Sequence, residues 1–363
     1  MKQTRWLLRW LGITQITILL LLGSLPAETD NESPGFTKVP DFVLRKCVLA
    51  DSLHLADFSD QPVLLFFFDA GDISCSRAYP YLNEWHRRYE NDGLKVIAIH
   101  CPGYEPLKKW ENAATAVGRA NLKIPVGMDW DCKVYEAFGL RQLPTFLLLK
   151  PGLEPVLLVS SLRSFREIEI AIQNLLKEIK PGTILPFLLE PLKPEDNPKL
   201  KLYRSTPKID LGYQDLKIAN CDSSDFGKFA AFTDPGERTR EVVFLDGRWR
   251  IDEKSVTCEP DRSYPSGRLR VLYSGKSVWL LADYPKDKPP RIYVKQDRSY
   301  LPSELWGNDI RFDELGRPFI LIRYAVPVHV VENTEHGAHQ LELLIEDGVV
   351  TFYYLFFESA VER

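Results

Sequence analysis

Seven consecutive residues, Pro62 to Phe68, carry no polar side chain. A strand exposed on one face alternates apolar and polar residues, so an unbroken run of this kind must be covered on both faces. Whatever this chain folds into has to bring structure to each side of one central strand. Directly after the run, Asp69-Ala70-Gly71-Asp72-Ile73-Ser74-Cys75 leads into a helical pattern. Leu82, Trp85 and Tyr89 share one face, Asp72 or Ser74 can cap the start, and Gly93 stops the helix just after Asp92. Lys95 to His100 reads as a second buried strand, Trp110 to Ala120 as a helix, and Pro125 to Asp129 as a short strand. Lys133 to Phe138 supplies a helical turn or two. Phe146 to Lys150 and Val156 to Val159 pair around a turn at Gly152, and Ser164-Phe165-Arg166-Glu167 is a capping box opening an amphipathic helix to Lys180. The order, βαβ alternation followed by a hairpin and a last helix, predicts an α/β layer over 40–180.

Beyond it the character changes. Pro181, Pro186, Pro191, Pro194, Pro198 and Pro207 rule out a helix or central strand and predict a semi-rigid linker over 181–206. From 207 to 363 short alternating segments dominate: Glu241–Leu245, Arg248–Ile251, Leu269–Tyr273, Ser277–Ala282, Pro290–Val294, Phe319–Tyr324, His339–Ile345 and Val349–Phe357. Turn signals at Asp246-Gly247, Ser274-Gly275 and Asp347-Gly348 separate them, which predicts an antiparallel β-sandwich or jelly roll.

The 363 residues are enough for two cores, and a formal net charge of −4 leaves no basic footprint for nucleic acid. The N-terminus places Lys2, Arg5 and Arg9 before an apolar run from Trp10 to Leu25, then Pro26-Ala27. Residues 1–27 read as a signal peptide cut near Ala27 or as an uncleaved anchor, with 28–39 as a polar tether; either reading exports the rest. Export permits disulfides among Cys47, Cys75, Cys101, Cys132, Cys221 and Cys258. None of the six has metal-site spacing, and no metal or other cofactor is expected. His336-Gly337-Ala338-His339, preceded by Glu335, is read as a loop. Asp69 offers a second carboxylate near Asp72, yet nothing in the motif completes a metal site.

The stretches Asp72-Ile-Ser-Cys75-Ser-Arg-Ala-Tyr-Pro80, Glu84-Trp85, Gly93 to Pro102, Ala120 to Pro125 and Tyr135 to Pro144 together resemble the TlpA/redoxin, AhpC/TSA-related branch of the thioredoxin superfamily. They are most similar to the extracytoplasmic part of DipZ-type cytochrome c biogenesis and disulfide-reductase proteins. Thr206-Pro207, Leu211-Gly212-Tyr213 and Leu245-Asp-Gly-Arg-Trp249 resemble the β-sandwich, carbohydrate-module-like tail of the same proteins. The resemblance implies a thioredoxin-like α/β fold followed by an all-β sandwich of jelly-roll type. The multi-span membrane domain that precedes this region in DipZ-like proteins has no counterpart here, which would make a membrane electron donor a separate protein.

Thiol-disulfide exchange in that family uses an attacking thiol at a helix N-terminus and a resolving thiol one turn on. By the resemblance, Cys75 occupies the resolving position and Asp72 replaces the attacking cysteine; its plain structural role is a helix N-cap. An ionised carboxylate about 6 Å from a thiolate opposes it by about 0.7 kcal/mol in water and about 3 kcal/mol at an effective dielectric of about 20, against about 0.3–1 kcal/mol from a helix dipole. Three states stay open for Cys75: buried and inert, a slow monothiol, or disulfide-bonded. Leu143-Pro144-Thr145 matches the family's cis-proline loop, which pairs with substrate peptide. If the strands before them are neighbours, as in redoxin folds, Cys101 and Cys132 can bond across the rim; Cys221 with Cys258 is the tidy pairing in the sandwich, leaving Cys47 to Cys75 or to none. Trp249, Trp279, Tyr284, Tyr300 and Trp306 could stack on a glycan. The expected function is an exported protein of oxidoreductase ancestry, of the redox-homeostasis and cytochrome c or disulfide-maintenance kind, with a degenerate D-x-x-C site. The alternative is a module that binds extracytoplasmic peptides, proteins or carbohydrate through the cis-proline groove and the sandwich.

Overall fold

A computed structural model describes residues 39–362, apart from 163, 216, 237–238 and 286–288. The leader expected at 1–27 and most of the tether lie outside the described residues, among which no helix is long and apolar enough to cross a membrane. Strands β1 (Cys47–Val48), β2 (Val63–Phe68), β3 (Lys95–His100), β4 (Val126–Met128), β5 (Thr145–Lys150) and β6 (Glu154–Val159) form one sheet in the order β1-β4-β3-β2-β5-β6. Helices α1 (Tyr79–Tyr89), α2 (Trp110–Arg119), α3 (Lys133–Ala137) and α4 (Phe165–Ile179) connect and cover it.

Every residue of β2 is fully buried. Leu64, Phe66 and Phe68 face one core with Trp85 and Tyr89, while Val63, Leu65 and Phe67 face another with Leu55 and Phe138. Strands β2, β3 and β4 run parallel, and β5 runs antiparallel to β2, with Phe68 opposite His100, His100 opposite Met128 and Phe67 opposite Thr145. This register brings the segments after β2, β3 and β4 and the segment before β5 to one end of the sheet. Asp69–Cys75, Cys101, Cys132 and Leu143-Pro144 all gather there. The capping box expected at Ser164 does not form: α4 starts at Phe165 with no side-chain cap bond from Ser164.

The proline-rich segment is a strap on the helices rather than a spacer. Asp196 accepts from Arg77 Nε (3.0 Å) and from the Tyr81 hydroxyl (3.0 Å), and the Leu192 amide donates to the Tyr81 oxygen (2.8 Å). Glu169 accepts from Arg88 (2.9 Å), Tyr89 (2.6 Å) and the Leu189 amide (2.8 Å). Prolines cannot donate, so Arg77, side chains of α1 and α4 and the strap's own leucine amides provide these bonds.

The C-terminal half is one eleven-stranded sheet in which every strand pairing is antiparallel. Two expected breaks are absent. Leu269–Tyr273 and Ser277–Ala282 belong to a single strand, Gly267–Asp283, whose register shifts between Gly275 and Ser277 instead of turning. Val243–Ile251 likewise runs through Gly247, whose φ of +99° and close approach to the Ser266 carbonyl admit only glycine. The His336–His339 segment, expected as a loop, lies inside the strand Val328–Ile345. Gly267–Asp283 pairs first with Val243–Ile251 and later with Val350–Glu358, keeping Val328–Ile345 on its other side throughout, so the strands form one continuous hydrogen-bonded surface rather than two separate sheets. Leu281, Ala325, Val326 and Tyr354 join the core under α1 and α2, so the two halves share apolar packing and form one compact unit.

Removing the Asp196 carboxylate leaves the part-buried Arg77 with only the Glu195 carbonyl (3.1 Å) and the Tyr81 hydroxyl without its acceptor. Asp196→Ala is expected to lower unfolding free energy by about 2–3 kcal/mol, read as a lower urea midpoint at unchanged m-value.

Candidate active site

The chain leaves β2 at Asp69, whose carboxylate accepts from the amides of Gly71 (2.8 Å) and Gly103 (2.9 Å). It thereby ties the loop after β2 to the loop after β3. A Cβ on Gly103 would stand 2.9 Å from Asp69 Oδ2, which is why that amide can approach so closely. Burial, and secondarily the charge of Asp72, pushes the Asp69 carboxyl up to about 7. His100 Nδ1 lies 3.8 Å from Asp69 Oδ1 but accepts a hydrogen bond from the Ala70 amide (3.1 Å), and burial lowers the imidazole to about 4. The ring is therefore neutral, and the two side chains are not an ion pair.

Asp72 caps a 3-10 turn, Ile73–Ala78, its carboxylate accepting from the Ser74 amide (2.9 Å). Cys75 follows one turn later, with its amide on the Asp72 carbonyl (3.1 Å). It is free and 0% exposed; burial first, then the Asp72 charge, pushes its thiol far above the ordinary thiol range. Of the three states open from sequence, the disulfide does not form here and the thiol is buried.

The C-terminal half closes over this turn. Lys208 Nζ stands 3.6 Å from Asp72 Oδ2 and 3.3 Å from Asp210 Oδ2, and donates to the Tyr104 hydroxyl (3.1 Å). Tyr104 in turn donates to Asp210 Oδ1 (2.6 Å), and the Tyr354 hydroxyl donates to the Gly71 carbonyl (2.8 Å). Burial works to lower the Lys208 ammonium, but Asp72 and Asp210 outweigh it and hold the group above its ordinary value. Neither Lys208, Asp210, Tyr104 nor Tyr354 stood out in the sequence, although Thr206-Pro207 and Leu211-Gly212-Tyr213 flank the first two.

Leu143–Pro144 is a cis peptide, Pro144 is buried, and Thr145 Oγ1 donates to the Gln142 carbonyl (2.7 Å). Cys101 and Cys132 are joined as a disulfide, their Cα atoms 5.1 Å apart. Asp69, Asp72, Tyr104, Leu143, Lys208 and both sulfur-bearing residues line one groove of about 450 Å³. Cys221 and Cys258 are both free, contrary to the pairing expected from sequence. Cys221 donates to the Ile218 carbonyl (3.5 Å), while Cys258 points into the core so closely against Gly267 that a Cβ there would meet its sulfur at 2.1 Å. Cys47 is also free. Among the described residues no group of three or more metal-ligating side chains gathers. Trp249 is core, Trp279 is half-buried and stacked on His329, Trp306 on Phe312, and Tyr284 is half-buried; Tyr300 is exposed, under Lys295.

A family profile described as the AhpC/TSA family matches residues 37–154. Thiol-disulfide oxidoreductase ResA of Geobacillus thermodenitrificans is 32% identical over 161 residues, which cover 42% of this chain and 85% of ResA. The chain belongs to the TlpA/DipZ-type redoxins. Protein DipZ of Mycobacterium bovis is 24% identical over 232 residues, covering 63% of this redoxin and 32% of DipZ, so the chain spans about a third of that relative. The DipZ match is longer than the α/β layer and so extends beyond it. The thioredoxin domain of a thiol-disulfide oxidoreductase from Bacteroides vulgatus is 19% identical, covering 38% of this chain and 97% of that one, with a TM-score of 0.33.

In this redoxin Asp69 holds its proton more tightly when folded, near 7, than in the unfolded chain, near 4. The stability it contributes is fully present below about pH 4 and is lost as pH rises to about 7. Asp69→Asn is expected to show a flatter urea midpoint between about pH 5 and pH 7 than wild type. Parallel profiles would show that another group sets the slope.

Proposed function

We propose that this redoxin works outside the cytoplasm as a thioredoxin-fold protein of oxidoreductase ancestry in which the Asp72–Cys75 turn no longer exchanges disulfides, while the adjoining groove still receives an extended peptide. The observation that carries the reading is the burial of Cys75 beneath a turn whose first residue is a carboxylate in contact with Lys208. An aspartate cannot form a mixed disulfide, and a thiol raised by burial and by a neighbouring anion supplies almost no thiolate at neutral pH. The retained cis bond from Leu143, which lines the same groove, to Pro144 supports peptide binding by analogy with the family. The basic and apolar N-terminus supports export, as does a disulfide that an oxidising compartment would maintain. A protein substrate or partner is the class this groove suits; the half-buried tryptophans of the C-terminal sheet offer less to a sugar ring.

Turnover of insulin disulfides with a dithiol reductant tests the reading. Cys75→Ser is expected to match wild type within about twofold, and Asp72→Cys to gain turnover that a second Cys75→Ser change removes. Wild-type turnover that disappears in Cys75→Ser alone would overturn it.

A further inference from the structure

One sulfur pair in the groove is not accounted for by the silent turn. We propose that Cys101–Cys132 is a redox-exchange disulfide, with Cys132 as the sulfur that reacts with partner thiols and disulfides. The proposal rests on the reading that Cys75 takes no part.

Placement is the first argument. Cys101 directly follows β3, its amide bonded to the Phe68 carbonyl (2.9 Å), and Cys132 follows β4, so both lie at the same end of the sheet as Asp72 and the Leu143-Pro144 edge. Cys101, Cys132, Asp72 and Leu143 line one groove. A peptide lying along Leu143 would therefore pass the disulfide as well as the turn.

The second argument is the asymmetry of access. Cys101 is 4% exposed, whereas Cys132 is half-buried, so Cys132 is the more accessible side of the bond for an incoming thiolate. Exchange needs one accessible sulfur and one protected leaving group, and this pair has that division.

The third argument is that the surrounding backbone does not need the cross-link. The Cys101 side is held by Asp69, which takes the Gly103 amide (2.9 Å), and by the Cys101–Phe68 backbone bond. The Cys132 side is held by Asp129, whose carboxylate takes the amides of Val134 (3.2 Å) and Tyr135 (2.9 Å) and whose carbonyl takes that of Cys132 (3.1 Å). Cys132 itself sits at φ +54°, a left-handed conformation that costs a non-glycine residue about 1 kcal/mol or more and that these bonds maintain. Both loops are thus anchored independently, and the S–S bond can open without loosening the site.

The cycle balances with a dithiol donor. A donor thiolate attacks Cys132 Sγ; the donor–Cys132 bond forms, the Cys101–Cys132 bond breaks, and its electron pair leaves on Cys101, which is protonated from water. The donor's second thiolate then attacks its own sulfur in the mixed disulfide and releases Cys132 as thiolate. The donor is oxidised to a disulfide by two electrons and this protein is reduced to two thiols. Attack of Cys132 on a substrate disulfide, followed by attack of deprotonated Cys101 on Cys132, returns both electrons to the substrate and restores the bond.

Full-length protein is treated with dithiothreitol under native conditions, and each cysteine is assigned by differential alkylation and peptide mass. Cys101 and Cys132 are expected to become alkylated together while circular dichroism is unchanged. In oxidised glutathione, Cys101→Ser should form a Cys132 adduct at least tenfold faster than Cys132→Ser forms one at Cys101, and Cys75→Ser should leave wild-type reduction unaltered. A bond that opens only on denaturation, or equal adduct rates at the two positions, would overturn the proposal. Loss of activity in Cys75→Ser with intact Cys132 chemistry would instead overturn the silent-turn reading alone. Because the reduction arm uses wild-type protein, that arm does not depend on either serine variant folding.

Discussion

Covering β2 on both faces is the constraint from which the rest of the molecule follows. Each of its buried aliphatic and aromatic side chains contributes about 1.5–3 kcal/mol only if a second layer excludes water from it, and the chain meets that demand with α1 and α4 on one side and Leu55, Phe138 and their neighbours on the other. A strand so enclosed can be entered and left only at its ends. The parallel partners β3 and β4 must return by helices, and their C-terminal ends fall beside that of β2. The cluster of Asp72, the disulfide and the cis-proline loop is thus a product of strand direction, set before any of those residues contributes chemistry.

On this frame the C-terminal sheet acts as part of the site. Lys208 neutralises a local excess of carboxylates from Asp72 and Asp210, and Tyr354 reaches the backbone of the turn itself. Half-buried charges are tolerable when each has a partner and the remaining donors are satisfied. Tyr104 meets that condition by receiving from Lys208 and giving to Asp210. The turn that a thioredoxin-type protein would leave open is here bounded by a polar cluster assembled from both halves of the chain.

What could be read from sequence was what neighbouring residues encode. Apolar runs and 3.6-residue spacing located β2, β3 and α1 closely, and Gly93 ended the helical segment with φ +100°. Glycine was also the source of error: Gly247 and Gly275 read as turns, yet the same permissive backbone serves irregularities inside long strands, and only pairing partners distinguish the two uses. Asp72 was legible as a cap because the acceptor and its amide lie two residues apart. Lys208, Asp210 and Tyr354 were not, since Tyr104 meets Asp210 across 106 positions and Gly71 meets Tyr354 across 283. The Cys221–Cys258 pairing failed for the same reason: counting cysteines says nothing of which way a strand faces, and Cys258 faces inward.

The shared core binds the two halves of this chain to each other. Leu281, Ala325, Val326 and Tyr354 fill space beneath α1 and α2 that an independent redox domain would show to water. Cutting at the proline-rich strap would strip those partners from the helices and remove the acceptors that Arg77 and Tyr81 use. Each half would then show to water the apolar surface it packs against the other. In this chain, substitutions around the turn must fit the sheet above it as well as the chemistry of a thiol.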